Sequence, residues 1–201
     1  MKITKISPAI KTEGRYNIYV DDKYSFSLDE VQLASLNLKK NDEIDAEQLD
    51  QLKSESDFGK NYVRALDLIS RRPRSQREIR DYAFRKQWTK SNTERVIERL
   101  LERGYLDDAK FAEIFARSRA NLRNYSTKRM KLELRKKGIA SDIVDQVLTD
   151  SENFDENAAL KNLIAKKRNR YDNEQKLIAY LARQGFSYDK IKSALSDYDT
   201  M

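Results

Sequence analysis

The fold turns on Leu134-Arg-Lys-Lys-Gly-Ile-Ala-Ser-Asp-Ile-Val-Asp-Gln-Val-Leu148. A basic helix end runs into Gly138 and Ile139. An apolar set follows in which Val144 and Leu148 lie one helical turn apart. Forty-seven residues later the pattern returns as Arg183-Gln184-Gly185-Phe186, with Ile191 and Leu195 behind it. Forty-seven residues earlier stand Ile97 and Leu101, and Arg85-Lys86-Gln87-Trp88 forms the corresponding turn. There about four more residues precede the next helix, so that first turn is expected to be longer. A period in this range marks an array of helical units that share interfaces and depend on their neighbours.

Working outward, apolar doublets keep helical spacing from about residue 58 to the end, in segments of 10–15 residues broken at Pro73, Gly104, Gly138 and Gly185. Three helices fit each period. The expected fold is mainly α: three tandem three-helix repeats in an elongated array, at residues 58–105, 106–151 and 152–201. A small β-containing segment, residues 1–57, precedes them. In it Arg15–Val20 and Lys23–Leu28 alternate as strands around Asp21-Asp22, with Lys2–Ile6 as a third strand. Ser27 or Asp29 is placed to cap a short helix over Val31–Leu36. A second helix is expected over Ala46–Leu52, with polar Lys53-Ser54-Glu55-Ser56 as the join to the first repeat. Gly138 and Gly185 have the setting of left-handed helix C-caps followed by an apolar contact. Gln87 at the matching place predicts a strained or differently shaped cap. Trp88, Ile139 and Phe186 are expected to plug the cores.

Two absences bound the chemistry. The chain has no Cys and no His, so thiol nucleophiles, Cys/His metal sites and imidazole acid–base pairs are all excluded. No Gly-rich phosphate loop and no Ser-centred elbow occurs. The one carboxylate pair that invites catalysis, Asp107-Asp108, sits where a helix N-cap is needed ahead of Phe111, Ile114 and Phe115. The reading is therefore no catalytic residue, no cofactor and no metal. With no secretory-type apolar run at the N-terminus and no stretch able to span a bilayer, a cytoplasmic location and no membrane partner are expected.

What remains is charge. The net charge is +7, unevenly distributed: residues 1–58 hold 8 Lys/Arg against 12 Asp/Glu, and residues 59–201 hold 32 against 21. A basic body favours a polyanion. The cations cluster between the first and second helices of each unit. Arg71, Arg72, Arg74, Arg77 and Arg80 lie in the first. Arg117, Arg119, Arg123, Lys128, Arg129, Lys131, Arg135, Lys136 and Lys137, with the single acid Glu133, lie in the second. Lys166, Lys167, Arg168 and Arg170 lie in the third. Such patches can follow a phosphate backbone or an acidic groove. Tyr125 and Tyr171, inside these turns, are able either to stack on bases or to pack.

Several stretches resemble the RecX regulators of the bacterial recombinase RecA. They are Arg64-Ala-Leu-Asp-Leu-Ile-Ser-Arg-Arg-Pro-Arg-Ser-Gln-Arg-Glu-Ile79, Val96-Ile-Glu-Arg-Leu-Leu-Glu-Arg-Gly-Tyr-Leu-Asp-Asp-Ala-Lys-Phe-Ala112, Arg117-Ser-Arg-Ala120 and Leu134-Arg-Lys-Lys-Gly-Ile139. The likeness is best over residues 60–150 and continues to about 196. Ala83 and Gln87 depart from it, where the family usually has leucine and glycine. The resemblance implies a monomeric, non-catalytic partner of the RecA filament that lies in the groove of RecA on single-stranded DNA, with weaker affinity for duplex. There it would restrain strand exchange, ATP hydrolysis and the cleavage of the SOS repressor. The competing expectation from the residues is a stand-alone helix-turn-helix-like DNA-binding protein.

Overall fold

A computed structural model describes residues 1–10, 12–150, 152 and 154–199. These fall into two compact units, Met1–Pro73 with Ile79–Leu106, and Arg74–Glu78 with Asp107–Met201.

The first unit begins with an antiparallel sheet of β1 (Ile3–Pro8), β2 (Arg15–Val20) and β3 (Lys23–Asp29), in chain order. Alternation puts Ile18, Val20, Phe26 and Leu28 into its core. Asp21 and Asp22 both adopt positive φ, 48° and 63°, the backbone of a two-residue hairpin turn whose twist matches the strands. Asp29 caps α1 (Glu30–Ser35). Its carboxylate accepts from the Gln32 amide at 2.8 Å while the Gln32 side chain accepts from the Asp29 amide.

Helix α2 (Ala46–Arg71) is a single helix of 26 residues, so the expected break after Leu52 does not occur. Lys53–Ser56 lies inside it for a physical reason: the polar residues there are used. Ser56 is buried and donates to the Ser27 carbonyl at 2.6 Å, Gln32 donates to the Glu55 carbonyl at 2.5 Å, and Glu55 pairs with Arg95 at 2.6 Å. The helix thus serves two cores, with Leu52 under the sheet and Ala65 in the first repeat. α3 (Gln76–Arg85) and α4 (Lys90–Glu102) complete that repeat around Ile79, Val96, Ile97 and Leu100. Trp88 packs against this core, edge-on to Tyr82 at 5.6 Å.

The second unit holds two further three-helix sets. One is α5 (Asp108–Arg123), α6 (Thr127–Lys136) and α7 (Ser141–Thr149). The other is α8 (Glu156–Lys167) with a 3₁₀ turn (Arg168–Arg170), α9 (Glu174–Arg183) and α10 (Tyr188–Asp199). Each closes on its own core, the first around Met130, Leu134 and Val144, the second around Leu160, Ile164, Leu181 and Ile191. Ile139 and Phe186 are buried in them as expected. No helix among the described residues is long and apolar enough to cross a membrane.

One detail of the repeat differs from expectation, and a second meets it in one of its two forms. The turn before α4 is not longer: Gln87-Trp88-Thr89 matches Gly138-Ile139-Ala140, and the extra residues form one more turn of α4, 13 residues against 9 in α7. Four residues nearly complete a helical turn, so the apolar face keeps its phase. The Gln87 cap is strained rather than differently shaped, since a non-glycine residue stands in the left-handed region. Gln87 has φ +57°, its amide bonds to the Phe84 carbonyl at 3.0 Å, and Trp88 bonds to Ala83 at 3.0 Å. Gly138 and Ile139 make the same pair of bonds to Arg135 and Leu134, at 2.9 and 3.2 Å. What differs is the neighbour. A Cβ on Gly138 would lie 2.6 Å from the Cβ of Arg77, and one on Gly185 would lie 2.5 Å from the Ser126 hydroxyl. Gln87 is exposed. Glycine is demanded by what packs on the cap, not by the cap alone.

Candidate nucleic-acid interface

Within the second unit the same polar joint is built twice, and it fixes the helices that carry the cations. Ser75 is fully buried and donates to the Lys137 carbonyl at 2.7 Å, at the end of α6. The Gln76 amide next to it donates to Asp108 at 2.9 Å. Arg77 then lies across Gly138, and Glu78 pairs with Lys137 at 2.6 Å. In the second joint Ser126, also fully buried, donates to the Gln184 carbonyl at 2.7 Å, at the end of α9. The Thr127 amide donates to Glu156 at 2.6 Å, Lys128 approaches Gly185, and Arg129 donates to the Gln184 side chain at 2.7 Å. Each serine also accepts from the amide three residues on, as a helix N-cap does. Donors otherwise orphaned at the start of α3 and α6 are thereby satisfied by the next helix set. Lys190 adds a further ion pair to Glu156.

The second joint opens on one side into a groove of about 610 Å³ between α6 and the end of α9. Lys128, Arg129, Lys131, Arg135 and Arg183 line it, against the single acid Glu133. Leu132 lies among them, 53 % exposed. This is the strongest convergence of positive charge that the expected residues achieve. Three of its cations already have protein partners, Arg183 through the Ala179 carbonyl at 3.3 Å. Lys131 is ion-paired with Asp145 at 2.7 Å, and Arg129 lies over the Tyr125 ring at 4.2 Å besides holding Gln184. Lys128, Arg135 and Arg183 project as exposed cations. Hydrogen bonding from Lys131 holds the Asp145 carboxyl below its usual range, as Arg80 does for Glu94 in the first unit.

The other expected residues sit outside this groove. Arg71 ends α2 and pairs with Asp67 at 2.8 Å, and Arg72 is its exposed C-cap. Arg74 is half-buried, and Arg80 pairs with Glu94 at 2.8 Å. Arg117, Arg119 and Arg123 lie along α5, with Arg119 over the Phe115 ring at 5.1 Å. Lys136 pairs with Glu133 at 3.2 Å. Lys166 and Lys167 end α8, and Arg168 and Arg170 form the following 3₁₀ turn. The two tyrosines are packing residues. Tyr125 lies against the α5–α7 core under Arg129, and Tyr171 lies against the α8–α10 core, 5.5 Å from Tyr180. Asp107 caps α5 through the Lys110 amide at 2.9 Å, and Asp108 caps α3 instead. Arg183 and Leu132 were missed as site residues. The signals were there: Arg183 in the last turn of a helix, and Leu132 off the Met130/Leu134 stripe.

Four family models match most of the chain: the regulatory protein RecX N-terminal domain at residues 1–45, and the first, second and third RecX three-helix domains at 62–100, 107–148 and 155–195. The regulatory protein RecX of Bacillus velezensis is 34% identical over 200 residues, which span 96% of this chain and 76% of that protein. This chain belongs to the RecX family. The RecX of Listeria welshimeri is 31% identical over 200 residues, 96% of this chain and 74% of that one. Among solved structures, a crystal structure of regulatory protein RecX superposes with a TM-score of 0.77 at 30% identity, covering 96% of this chain and 98% of that one. RecX from Lactobacillus salivarius gives 0.63 at 27% identity, covering 72% and 98%. A RecX regulatory role follows from this membership, and the basic groove lies between the domains of the second and third three-helix models.

Proposed function

We propose that this chain is a cytoplasmic, monomeric negative regulator of RecA. It would lie in the groove of the RecA–single-stranded DNA filament and inhibit the recombinase, ATPase and coprotease activities without catalysis of its own. Its working units in this reading are residues 1–57, 58–105, 106–151 and 152–201. The observation that supports it best is the α6–α9 groove, where five cations face one carboxylate beside an exposed leucine. Cations in that arrangement suit a phosphate backbone or acidic protein surface, and the leucine supplies an apolar contact. Stand-alone duplex recognition fits less well. The starts of α3 and α6 are occupied by Asp108 and Glu156, and α7, the third helix of its set, carries Asp142 and Asp145 but no cation. A helix entering a major groove needs a free, non-acidic leading end.

The test is a titration of the chain against preformed RecA filaments, following ATP hydrolysis. Inhibition at substoichiometric to stoichiometric ratios is expected. Unchanged hydrolysis and strand exchange across the titration would refute the proposal. Tight, sequence-selective binding to duplex without RecA would favour the helix-turn-helix reading instead.

A further inference from the structure

Phe84 has no structural reason to be where it is. It lies on α3, 84 % exposed, while its neighbour Ala83 is 1 % exposed and faces the core. It belongs to no apolar cluster, although the rest of α3 follows the rule that apolar residues turn inward and polar ones outward. The second helices of the repeats show what this position does elsewhere. Fifty-one residues on, past the extra turn of α4, stands Arg135. Forty-seven residues beyond that stands Ala182. Both line the α6–α9 groove. Phe84 thus occupies the position that faces the groove in both other repeats. Cations flank it: Arg85 and Lys86 just after it, and one turn earlier Arg80, which is paired with Glu94 at 2.8 Å, with Asp81 among them.

We infer that Phe84 is a stacking platform for an unpaired base of single-stranded nucleic acid, with Arg85 and Lys86 facing the phosphates. An exposed ring on a basic surface is the arrangement by which proteins hold single strands without reading sequence, because every base has a π face. The same ring has no purchase on duplex, whose bases are already stacked. An apolar pocket on a protein partner would also accept a phenylalanine, but would not call for the flanking cations. The inference rests on the filament-binding reading, since it supplies that reading with a contact to the strand.

The test uses the full chain without RecA and a single-stranded oligodeoxynucleotide containing 2-aminopurine, whose fluorescence is quenched on stacking. The parent chain is expected to quench it. Phe84→Leu should weaken binding roughly tenfold and abolish the quenching, and Phe84→Trp should restore both. The salt dependence should keep its slope, because no charge has changed. As Phe84 is exposed, the variants should keep the parent's circular dichroism and melting temperature. Equal affinity and quenching for Phe84→Leu would overturn the inference. So would loss of filament inhibition with oligonucleotide binding unchanged, which would place the ring against protein. A parent chain that leaves the RecA ATPase untouched but loses oligonucleotide quenching on Phe84→Leu would refute the proposed function and leave the stacking assignment standing.

Discussion

Gly138→Ala tests whether the polar joint or the helix cap dictates the glycines. Two costs add at this position. The left-handed backbone, φ +80°, costs an alanine about 1–2 kcal/mol. The added methyl would also stand 2.6 Å from Arg77 Cβ and 2.9 Å from its Cδ, and forcing apart packed groups costs about 1–3 kcal/mol more. The sum is about 2–5 kcal/mol. Gly104→Ala is the control, because it has φ +69° with nothing within 4 Å of the added carbon, so only about 1–2 kcal/mol applies. Gln87→Gly, where the neighbour is solvent, should stay within about 1 kcal/mol of the parent. Urea unfolding followed by far-ultraviolet circular dichroism measures all three. Arg77→Ala combined with Gly138→Ala should recover only part of the loss, because it removes the clash with Cδ and leaves the clash with Cβ. Equal losses for Gly138→Ala and Gly104→Ala would refute the reasoning and return the glycines to backbone conformation alone.

Three further outcomes follow from the same geometry. Lys128→Glu, Arg135→Glu and Arg183→Glu together should remove most salt-dependent oligonucleotide binding and flatten its salt slope by about 0.7 for each phosphate no longer neutralised, with the helical signal unchanged; an unaltered slope would move the site off the groove. Ser126→Ala should destabilise the chain by about 2 kcal/mol in denaturant unfolding, through removal of an N-cap and of the donor to the Gln184 carbonyl; a change under about 0.5 kcal/mol would show the joint to be ornamental. The Arg80 guanidinium lowers the Glu94 carboxyl pKa, so their attraction is present above the usual glutamate range and is lost as pH falls through that range to the lowered value. Because the pair is largely exposed, it contributes only about 0.2–1 kcal/mol, and Arg80→Gln should cost that much at pH 7 and almost nothing in strong acid.

The period of 47 residues, the hairpin at Asp21-Asp22 and the capping glycines were legible because each is a local pattern with one cheap structural solution. The continuity of α2 was not. Lys53–Ser56 looks like a linker by composition, and only bonds to Ser27 and Gln32, far along the chain, turn those polar groups into helix surface. The basic turns were visible as charge, but charge does not announce its partner. Lys131 and Lys137 hold Asp145 and Glu78, so a variant that reverses Arg129, Lys131 and Arg135 would damage structure and groove together. Phe84 was overlooked because Tyr82 and Ala83 beside it read as an apolar doublet, which hides the residue that points away.

The two joints share their serine, their carboxylate and their glycine, but not their last pairing. One sets Glu78 against Lys137 and the other sets Arg129 against Gln184. Two newly made copies present helix sets of the same shape, so the second set of one copy has a geometric claim on the face of the other copy's second set that the first set should cover. In that docking Arg129 of one copy would meet Lys137 of the other, and two cations would be pressed together at a half-buried position. The mismatch makes such cross-docking between copies repulsive, so charge opposes it where shape alone is ambiguous.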